Sequence, residues 1–279
     1  LKAYYRFIAS QRKAISAEGI LQGHRHQTIR RMKDQKRVLV IQDTTELNFS
    51  ERLHCNGLGD IGKNQTGTLS RGLKMHSSLA VGQQGLPLGV LATHIYAAHF
   101  DAKDKAQNRP IEQKESYRWL RTIEELGEIS KLVPQTQLIA VGDRESDLFE
   151  LFAYRRRKAR NIHLLVRAQY NRCLEDGSAK LFEHLEALPV MGEAQIEVPR
   201  QREKKGKRTK PAQIALPARQ AHVELRWGKV VLAAPATAQT RHLPALEIYA
   251  LLVFESHPPK GAKALRWVLL TTVPIDSRK

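Results

Sequence analysis

Two apolar, β-branched runs that each lead into an aspartate constrain the fold of this chain most strongly. The first is VLVIQDTTEL, in which Asp43 follows residues 38–41, and the second is QLIAVGDRESDLFELF, in which Asp143 follows residues 138–141. Such runs predict buried strands. A carboxylate at the rigid end of a strand can bind a metal ion at the edge of a sheet. We therefore predict that Asp43 and Asp143 are metal ligands and catalytic residues of a paired-metal centre.

The charge of the chain restricts its partners. The 279 residues include 46 Lys and Arg against 28 Asp and Glu, which gives a net charge of +18. This imbalance exceeds what solubility needs and predicts nucleic acid or an anionic membrane as a partner. Membrane is the weaker alternative, because the longest apolar runs, such as YALLVF, fall far short of the roughly 18 residues that span a bilayer. Basic charge and strand-end aspartates together suggest phosphodiester chemistry on nucleic acid.

The order of the predicted elements indicates the fold class. Residues 1–35 are predicted to be a helical segment, and residues 36–171 a core in the order β-β-β-α-β-α-β. The strands are predicted at 38–41, 75–81, 88–97, 138–141 and 162–166, and the helices at 110–130 and after Asp143. Acids after the first and fourth strands match the pattern of ribonuclease H-like nucleases. We predict an α/β fold with a ribonuclease H-like mixed sheet, flanking helices and an all-β insertion.

The second half of the chain has a different texture. Short β-like stretches separated by turns predict that residues 172–264 form the β-rich insertion. Residues 265–279 are then predicted to return to the core as its last strand. The run QREKKGKRTK within the insertion contains six cations and one acid. It is either a plain solvated loop or a loop that attracts phosphates without sequence preference. The predicted DNA-binding cations of this loop are Lys204, Lys205, Lys207 and Arg208.

Five segments in a fixed order carry a family resemblance. They are AYYRFI, VLVIQDTTEL, VGDRESDLF, NIHLLVRAQYNR and PPKGAKALRWVLLTTVPI. Together they resemble the DDE transposases of the insertion-sequence-four group, and most closely the transposon-five type transposase. The resemblance implies cut-and-paste transposition by a cytoplasmic, nucleoid-associated bacterial protein. It also implies two Mg²⁺ ions, with Mn²⁺ as a substitute, and a homodimer in a synaptic complex with double-stranded transposon ends and target DNA.

The resemblance assigns roles to individual residues. Asp43 and Asp143 match the first two catalytic acids of the family. Arg167 matches an arginine that contacts the transposon end, and Trp267 matches a tryptophan that stacks on a flipped base. His76 lies at a position that recurs in the group, and we interpret it as a structural histidine.

Simpler interpretations of these residues remain open. Asp43 is also a favoured turn former, and Asp143 is also a suitable cap for the following helix. Arg167 could be an ordinary surface cation. Trp267 could be a core aromatic residue, which is the commoner position for tryptophan.

One part of the family pattern is missing. The third acid lies in a Y-x-x-R-x-x-x-E-x-x-x-x-x-x-K string that this sequence lacks, since Tyr154 and Arg157 are followed by Asn161 where the glutamate should be. The end-recognition segment is also absent before Leu1. We therefore expect a transposase fragment that lacks the third catalytic acid. The alternatives are a non-catalytic, truncated transposase that inhibits full-length copies, and a ribonuclease H-like nuclease without a role in transposition.

Overall fold

The computed structural model describes residues 1–10, 12, 15–52, 54–64, 66–98, 109–203, 215–237 and 240–275. These residues form five α-helices and ten strands, and most of the strand pairs are antiparallel. The chain divides into two compact units. The first comprises Leu1–Leu164 with Thr237–Thr240, and the second comprises Leu165–Ala236 with Arg241–Lys279.

The elements follow one another in an order that begins with helices, continues with a mixed α/β segment and ends with strands. The helices are α1 (Lys2–Ile8), α2 (Ala17–Met32), α3 (Tyr117–Leu132), α4 (Phe149–Lys158) and α5 (Leu181–Ala187). The strands are β1 (Arg37–Asn48), β2 (Gly59–Lys63), β3 (Leu69–Gly82), β4 (Pro87–Tyr96), β5 (Gln137–Gly142), β6 (Ile162–Arg167), β7 (Gly192–Val198), β8 (Arg219–Leu232), β9 (Leu246–Phe254) and β10 (Arg266–Thr271).

Strand β1 is the centre of the sheet in the first unit. It pairs antiparallel with β3 along its whole length and parallel with β5 from Arg37 to Ile41. Strands β2 and β4 both pair with β3 in antiparallel orientation. The sequence GQQGLP joins β3 to β4, and Gly85 adopts a φ of 79° there, a conformation that residues with a side chain rarely adopt. Four antiparallel strands, β1 to β4, and the parallel strand β5 thus form a mixed sheet, as the sequence predicted.

Helix α3 buries an apolar face that includes Trp119, Ile123, Leu126 and Ile129. These positions recur at three- and four-residue spacing, so one side of the helix is apolar as the sequence predicted. The predicted helix over 110–130 begins later than expected. A short 3₁₀ helix at Ile111–Gln113 comes first, and α3 starts only after residue 116.

The N-terminal segment contains two helices instead of the single one predicted over residues 1–35. Helix α2 begins where Ser16 accepts a hydrogen bond from the amide of Gly19 at 3.0 Å. Such a cap marks a helix start, and Glu18 and Arg31 at opposite ends of the helix suit its dipole. Helix α1 has no buried residue, so it has no packing face that would extend it toward α2.

The second unit is mainly antiparallel. Strand β6 runs from residue 162 across the boundary at residue 164 and pairs with β10, which pairs in turn with β9. Strands β8 and β7 continue this part of the sheet, each antiparallel to the previous strand. At one end of β8 and β9, Arg219 and the buried Glu255 form an ion pair.

The fold class predicted from the sequence is confirmed. The mixed α/β architecture and the pairing of β1 with β3 and β5 are consistent with the ribonuclease H-like pattern. Two details differ from the prediction: β2 lies where no strand was expected, and α5 lies within residues 172–264, so that segment is β-rich but not all-β. The subdivision into a core, an insertion and a return strand stays a prediction. Among the helices of the described residues, none is long and apolar enough to span a membrane.

Candidate active site

The pairing register relates the two candidate acids. Strands β1 and β5 are parallel, and the last pair of their ladder is Ile41 with Val141. Asp43 and Asp143 each lie two residues beyond this pair, so they follow equivalent positions at the carboxyl ends of neighbouring strands. Neighbouring strands are about 4.8 Å apart. Both aspartates are exposed, which suits acids that bind a cation from solvent.

Asp43 does not end β1, contrary to the expectation from its sequence. The strand continues through Thr44 and Thr45 to Asn48, because β3 pairs with it as far as Gly72. Only the parallel partner β5 stops early. Asp43 therefore lies at the end of the parallel ladder but inside an antiparallel one, which fixes its backbone more firmly than a turn would.

Asp143 begins a turn and also caps it. Its carboxylate accepts a hydrogen bond from the amide of Glu145 at 2.9 Å, and a 3₁₀ helix occupies Arg144–Ser146. The preceding Gly142 is needed for this turn, since a side chain there would collide with Ser146. Asp143 thus caps the short 3₁₀ helix through one carboxylate oxygen, whereas the predicted cap of the following α-helix is wrong, because Leu148 is the N-cap residue of α4. The hydrogen bond from Glu145 does not exclude metal binding by the other oxygen.

His76 lies directly behind the Asp43 segment. Because side chains alternate along a strand, Gln42 and Thr44 point to the face opposite Asp43. His76, the partner of Thr44 on β3, contacts both: Nδ1 is 2.9 Å from Thr44 Oγ1 and Nε2 is 3.3 Å from Gln42 Oε1. The histidine therefore bridges the two residues that flank the aspartate.

The hydrogen bonds around His76 define its tautomer. The amide oxygen of Gln42 accepts only, so Nε2 of a neutral ring must carry the proton, and Nδ1 must accept from the hydroxyl of Thr44. The ring is 1% exposed and packs edge-on against Trp119 with 4.8 Å between centroids. Burial, assisted by the charge of Arg118, lowers the pKa of His76 from 6.5 to about 4. His76 is thus a buried, hydrogen-bonded structural residue, as the sequence suggested.

This depressed pKa predicts that stability falls as the pH drops from about 6.5 toward 4. In that window the unfolded chain takes up a proton at His76 that the folded chain excludes, so protonation favours unfolding. At 1.36 kcal/mol per pKa unit, the loss approaches roughly 3 kcal/mol at the low end. Denaturant unfolding of wild type and His76→Gln at several pH values measures it. The variant is expected to have the shallower pH dependence, and equal slopes would contradict the assignment.

A cluster of charged and phenolic groups surrounds Glu115 on the same side of the sheet. Lys74 Nζ donates to Glu115 Oε1 at 2.6 Å, and the Tyr96 hydroxyl donates to the same oxygen at 3.3 Å. Arg118 contacts Glu115 and also reaches Thr44 and Glu145. Burial, assisted by the charge of Glu115 against that of Arg118, raises the pKa of Tyr96 to about 12.

Sequence analysis did not find this cluster. Arg118 is 74 positions after Thr44, and Lys74 is 41 positions before Glu115, so no local spacing connects them. The only indication in the sequence was that the amphipathic helix α3 begins with polar residues. Polar residues at that position are equally typical of an exposed helix end.

The carboxylates present suit one hydrated Mg²⁺ better than a complete two-ion centre. Mg²⁺ usually keeps several waters and is bound through one or two carboxylates, which Asp43 and Asp143 could supply. Within the described part of the chain, no three His, Cys, Asp or Glu side chains form a group that could hold a metal ion. The assignment of both aspartates as metal ligands stays a prediction.

The two predicted DNA-binding residues of the second unit lie on one face of its sheet. Arg167 on β6 is opposite Leu269 on β10, and Trp267 is two residues before Leu269. Arg167 and Trp267 are therefore diagonal neighbours, typically about 7–8 Å apart. Trp267 is half-buried, so it is neither a core residue nor a fully open platform. Lys204, Lys205, Lys207 and Arg208 lie outside the described residues.

A large cavity of the first unit borders the Glu115 cluster, since Tyr96, Glu115 and Arg118 are among its lining residues. It has a volume of about 1050 Å³ and is lined by parts of α2, β4 and α3, including His94, Arg121 and Glu125. His94 and Arg121 both contact Glu125, at 3.0 and 3.4 Å. Neither Asp43 nor Asp143 lines this cavity.

Comparison with known proteins gives a distant structural similarity. No family model matches the sequence. The fold is similar to a piggyBac transposase in a synaptic complex with hairpin DNA, with a TM-score of 0.39 and 11% sequence identity. The match covers 94% of this chain and 41% of the other chain, so this chain spans less than half the length of that transposase.

Proposed function

We propose that this chain is part of a cut-and-paste DNA transposase, with Asp43 and Asp143 as the first two catalytic acids. The observation that carries the proposal is the parallel register of β1 and β5, which sets both aspartates at equivalent positions on neighbouring strands. The net charge of +18 supports a polyanionic substrate. In the proposed assembly, a homodimer binds double-stranded transposon ends and target DNA in the bacterial cytoplasm.

The carboxylates of the two aspartates would bind the divalent ions and offset their positive charge. When bound, such ions activate a water or 3′-hydroxyl nucleophile and stabilise the leaving oxygen of an in-line displacement. The chain's own contribution is to hold two carboxylates in fixed positions beside the scissile phosphate. Asp143 Oδ1 is held by the amide of Glu145, and the segment around Asp43 is held by His76.

Arg167 and Trp267 would bind the transposon end. Their diagonal placement on one sheet face puts a cation, which can contact a phosphate, beside an indole, which can stack on an unpaired base. The basic loop with Lys204, Lys205, Lys207 and Arg208 would add attraction to DNA that does not depend on sequence.

A second candidate is a non-catalytic DNA-binding protein that inhibits full-length transposase. The absence of the family's third-acid string from the sequence favours it. Both candidates bind DNA, but only the first requires the aspartates to bind a divalent ion.

Mn²⁺ binding by the chain tests the proposal. We expect Asp43→Asn and Asp143→Asn each to weaken Mn²⁺ binding by at least tenfold, because each removes one of two anionic ligands. Electron paramagnetic resonance measures the free ion directly. Asp34→Asn, the same change at the exposed amino-terminal side of β1, is the matched control and should leave the affinity unchanged.

The same titrations distinguish the alternatives. Binding of Mn²⁺ that is identical in wild type, Asp43→Asn and Asp143→Asn would contradict the catalytic assignment. If DNA binding persisted in that case, the non-catalytic candidate would be the better description.

A further inference from the structure

Arg118 connects three segments of the first unit. It is the second residue of α3, and its side chain is 10% exposed. Nε donates to Thr44 Oγ1 at 3.0 Å, and one terminal nitrogen donates to Glu145 Oε2 at 2.5 Å. The other terminal nitrogen donates to the backbone oxygen of Glu115 at 3.0 Å. Every nitrogen of the guanidinium is therefore used, each in a different segment.

Two of these segments carry the candidate acids. Thr44 directly follows Asp43 in β1. Glu145 follows Asp143 by two residues, and its amide donates to Asp143 Oδ1 at 2.9 Å. A chain of hydrogen bonds thus runs from the Asp143 carboxylate through Glu145 and Arg118 to the residue beside Asp43.

These hydrogen bonds of Arg118 lie just beyond the point where the backbone pairing of β1 with β5 ends. The parallel ladder of β1 and β5 ends at Ile41 and Val141, two residues before each aspartate. Beyond that pair, the two strands diverge, since β1 continues and β5 turns into its 3₁₀ helix. The guanidinium of Arg118 lies where the ladder has stopped and joins the two segments in its place.

We propose that Arg118 is a positioning residue, which fixes the spacing between Asp43 and Asp143 and thereby their affinity for a divalent cation. This inference rests on the proposed function of the two aspartates. Thr44 points to the sheet face opposite Asp43, so Arg118 acts through the backbone of β1 and through Glu145 and does not touch the cation.

The hydrogen bonds continue in a consistent donor-to-acceptor direction beyond Thr44, through His76 to Gln42. Thr44 accepts from Arg118 and donates to His76, which donates to Gln42. Gln42 and Thr44 flank Asp43, so both neighbours of the aspartate are fixed on the buried face. The Thr44 hydroxyl has a single proton, which it donates to His76, so toward Arg118 it can only accept. Arg118 therefore fixes the orientation of this hydroxyl.

Charge balance makes an arginine suitable here. The carboxylates of Glu115 and Glu145 lie against the guanidinium and offset its charge, which limits its repulsion of a nearby cation. The planar fork reaches three acceptors in fixed directions, whereas a lysine would supply only a point charge on a flexible stem. We expect Arg118→Lys to fail as a substitute even though the charge is kept.

Mn²⁺ titration of the whole 279-residue chain tests the proposal. We expect Arg118→Gln to weaken binding by about tenfold, the lower end of what outer partners of metal ligands contribute. Thr44→Val should weaken binding similarly, and Thr44→Ser, which keeps the hydroxyl, should restore it. Arg121→Gln is the matched control, because Arg121 lies one turn along α3 and pairs with Glu125 instead.

Two further measurements separate positioning from general destabilisation. DNA affinity and the denaturant midpoint should differ little between Thr44→Ser and wild type. The electron paramagnetic resonance spectrum of bound Mn²⁺ should change in Arg118→Gln, because the spacing of its two ligands changes.

Each result has a defined meaning. If Mn²⁺ binding depends on Asp43 but is equal in wild type, Arg118→Gln and Thr44→Val, Arg118 has no positioning role. If Arg118→Gln does not fold, the two Thr44 variants still test the proposal. Equal Mn²⁺ affinities of Thr44→Val and Thr44→Ser would overturn the positioning role of Arg118 and leave the proposed function unaffected. If Asp43→Asn binds Mn²⁺ as tightly as wild type does, the proposed function fails instead.

Discussion

Raising the salt concentration from about 50 to about 200 mM is expected to lower the affinity of this chain for duplex DNA by roughly three orders of magnitude. A protein that neutralises six or more phosphates releases as many condensed counterions, and added salt opposes that release. The net charge of +18 makes such a number of contacts reasonable. Fluorescence anisotropy at four or five salt concentrations gives the slope of log affinity against log salt. A flat line would exclude electrostatic binding.

Paired variants locate the cations responsible. Replacing Lys204 and Lys205 with alanine should reduce the slope by roughly two, about one for each lost phosphate contact. Replacing Lys33 and Lys36, two exposed lysines at the amino-terminal side of β1, removes the same charge from another part of the sequence. If both pairs changed the slope equally, the basic loop would have no special role.

The strands of the first unit could be predicted because their sequences are locally consistent. Residues 38–41 and 138–141 are apolar and rich in β-branched side chains, and all of them except the exposed Ile41 are buried or half-buried in the sheet. Their adjacency followed from fold-level pattern matching. The register of β1 against β5 could not be derived, because it depends on contacts between residues 100 positions apart.

Pairing partners explain where the sequence misled us about strand ends. An aspartate with two threonines is typical of a turn, yet β3 extends the ladder and keeps Asp43 within a strand. Similarly, the sequence of the second half of the chain predicted short β-like stretches separated by turns. Trp227 and Gly228 instead lie within β8, because Leu251 and Ala250 of β9 pair with them. Propensity describes a segment alone, and tertiary pairing overrides it.

The Arg118 link had no sequence signal for a different reason. Its partner Thr44 lies within β1 and its partner Glu145 lies in the 3₁₀ helix after β5, and an arginine at a helix start is ordinarily a solvated residue. His76 was identified, but its role depended on seeing Gln42 and Thr44 on the same face. Side-chain networks of this kind arise from the assembled fold.

The chain itself is expected to bind DNA without cutting it. Two aspartates can hold a divalent ion, but without a third acid the second ion and the line of attack are not fixed. If the proposed function is correct, a longer chain that also carries the third-acid helix of the insertion-sequence-four transposases should nick transposon ends in the presence of Mg²⁺. Gel analysis of end-labelled duplexes measures the nicking rate in both chains.

Within that longer chain, Asp143→Ala should lower the nicking rate by more than about a hundredfold. Outer partners of a metal ligand contribute 10–100-fold, so a ligand itself should exceed that range. Asp34→Ala, an exposed aspartate away from the strand ends, should leave the rate unchanged. DNA affinity should be equal in all three proteins, because it depends on the basic surface. Nicking that persists in Asp143→Ala, or that occurs in the 279-residue chain, would mean that the catalytic group lies elsewhere.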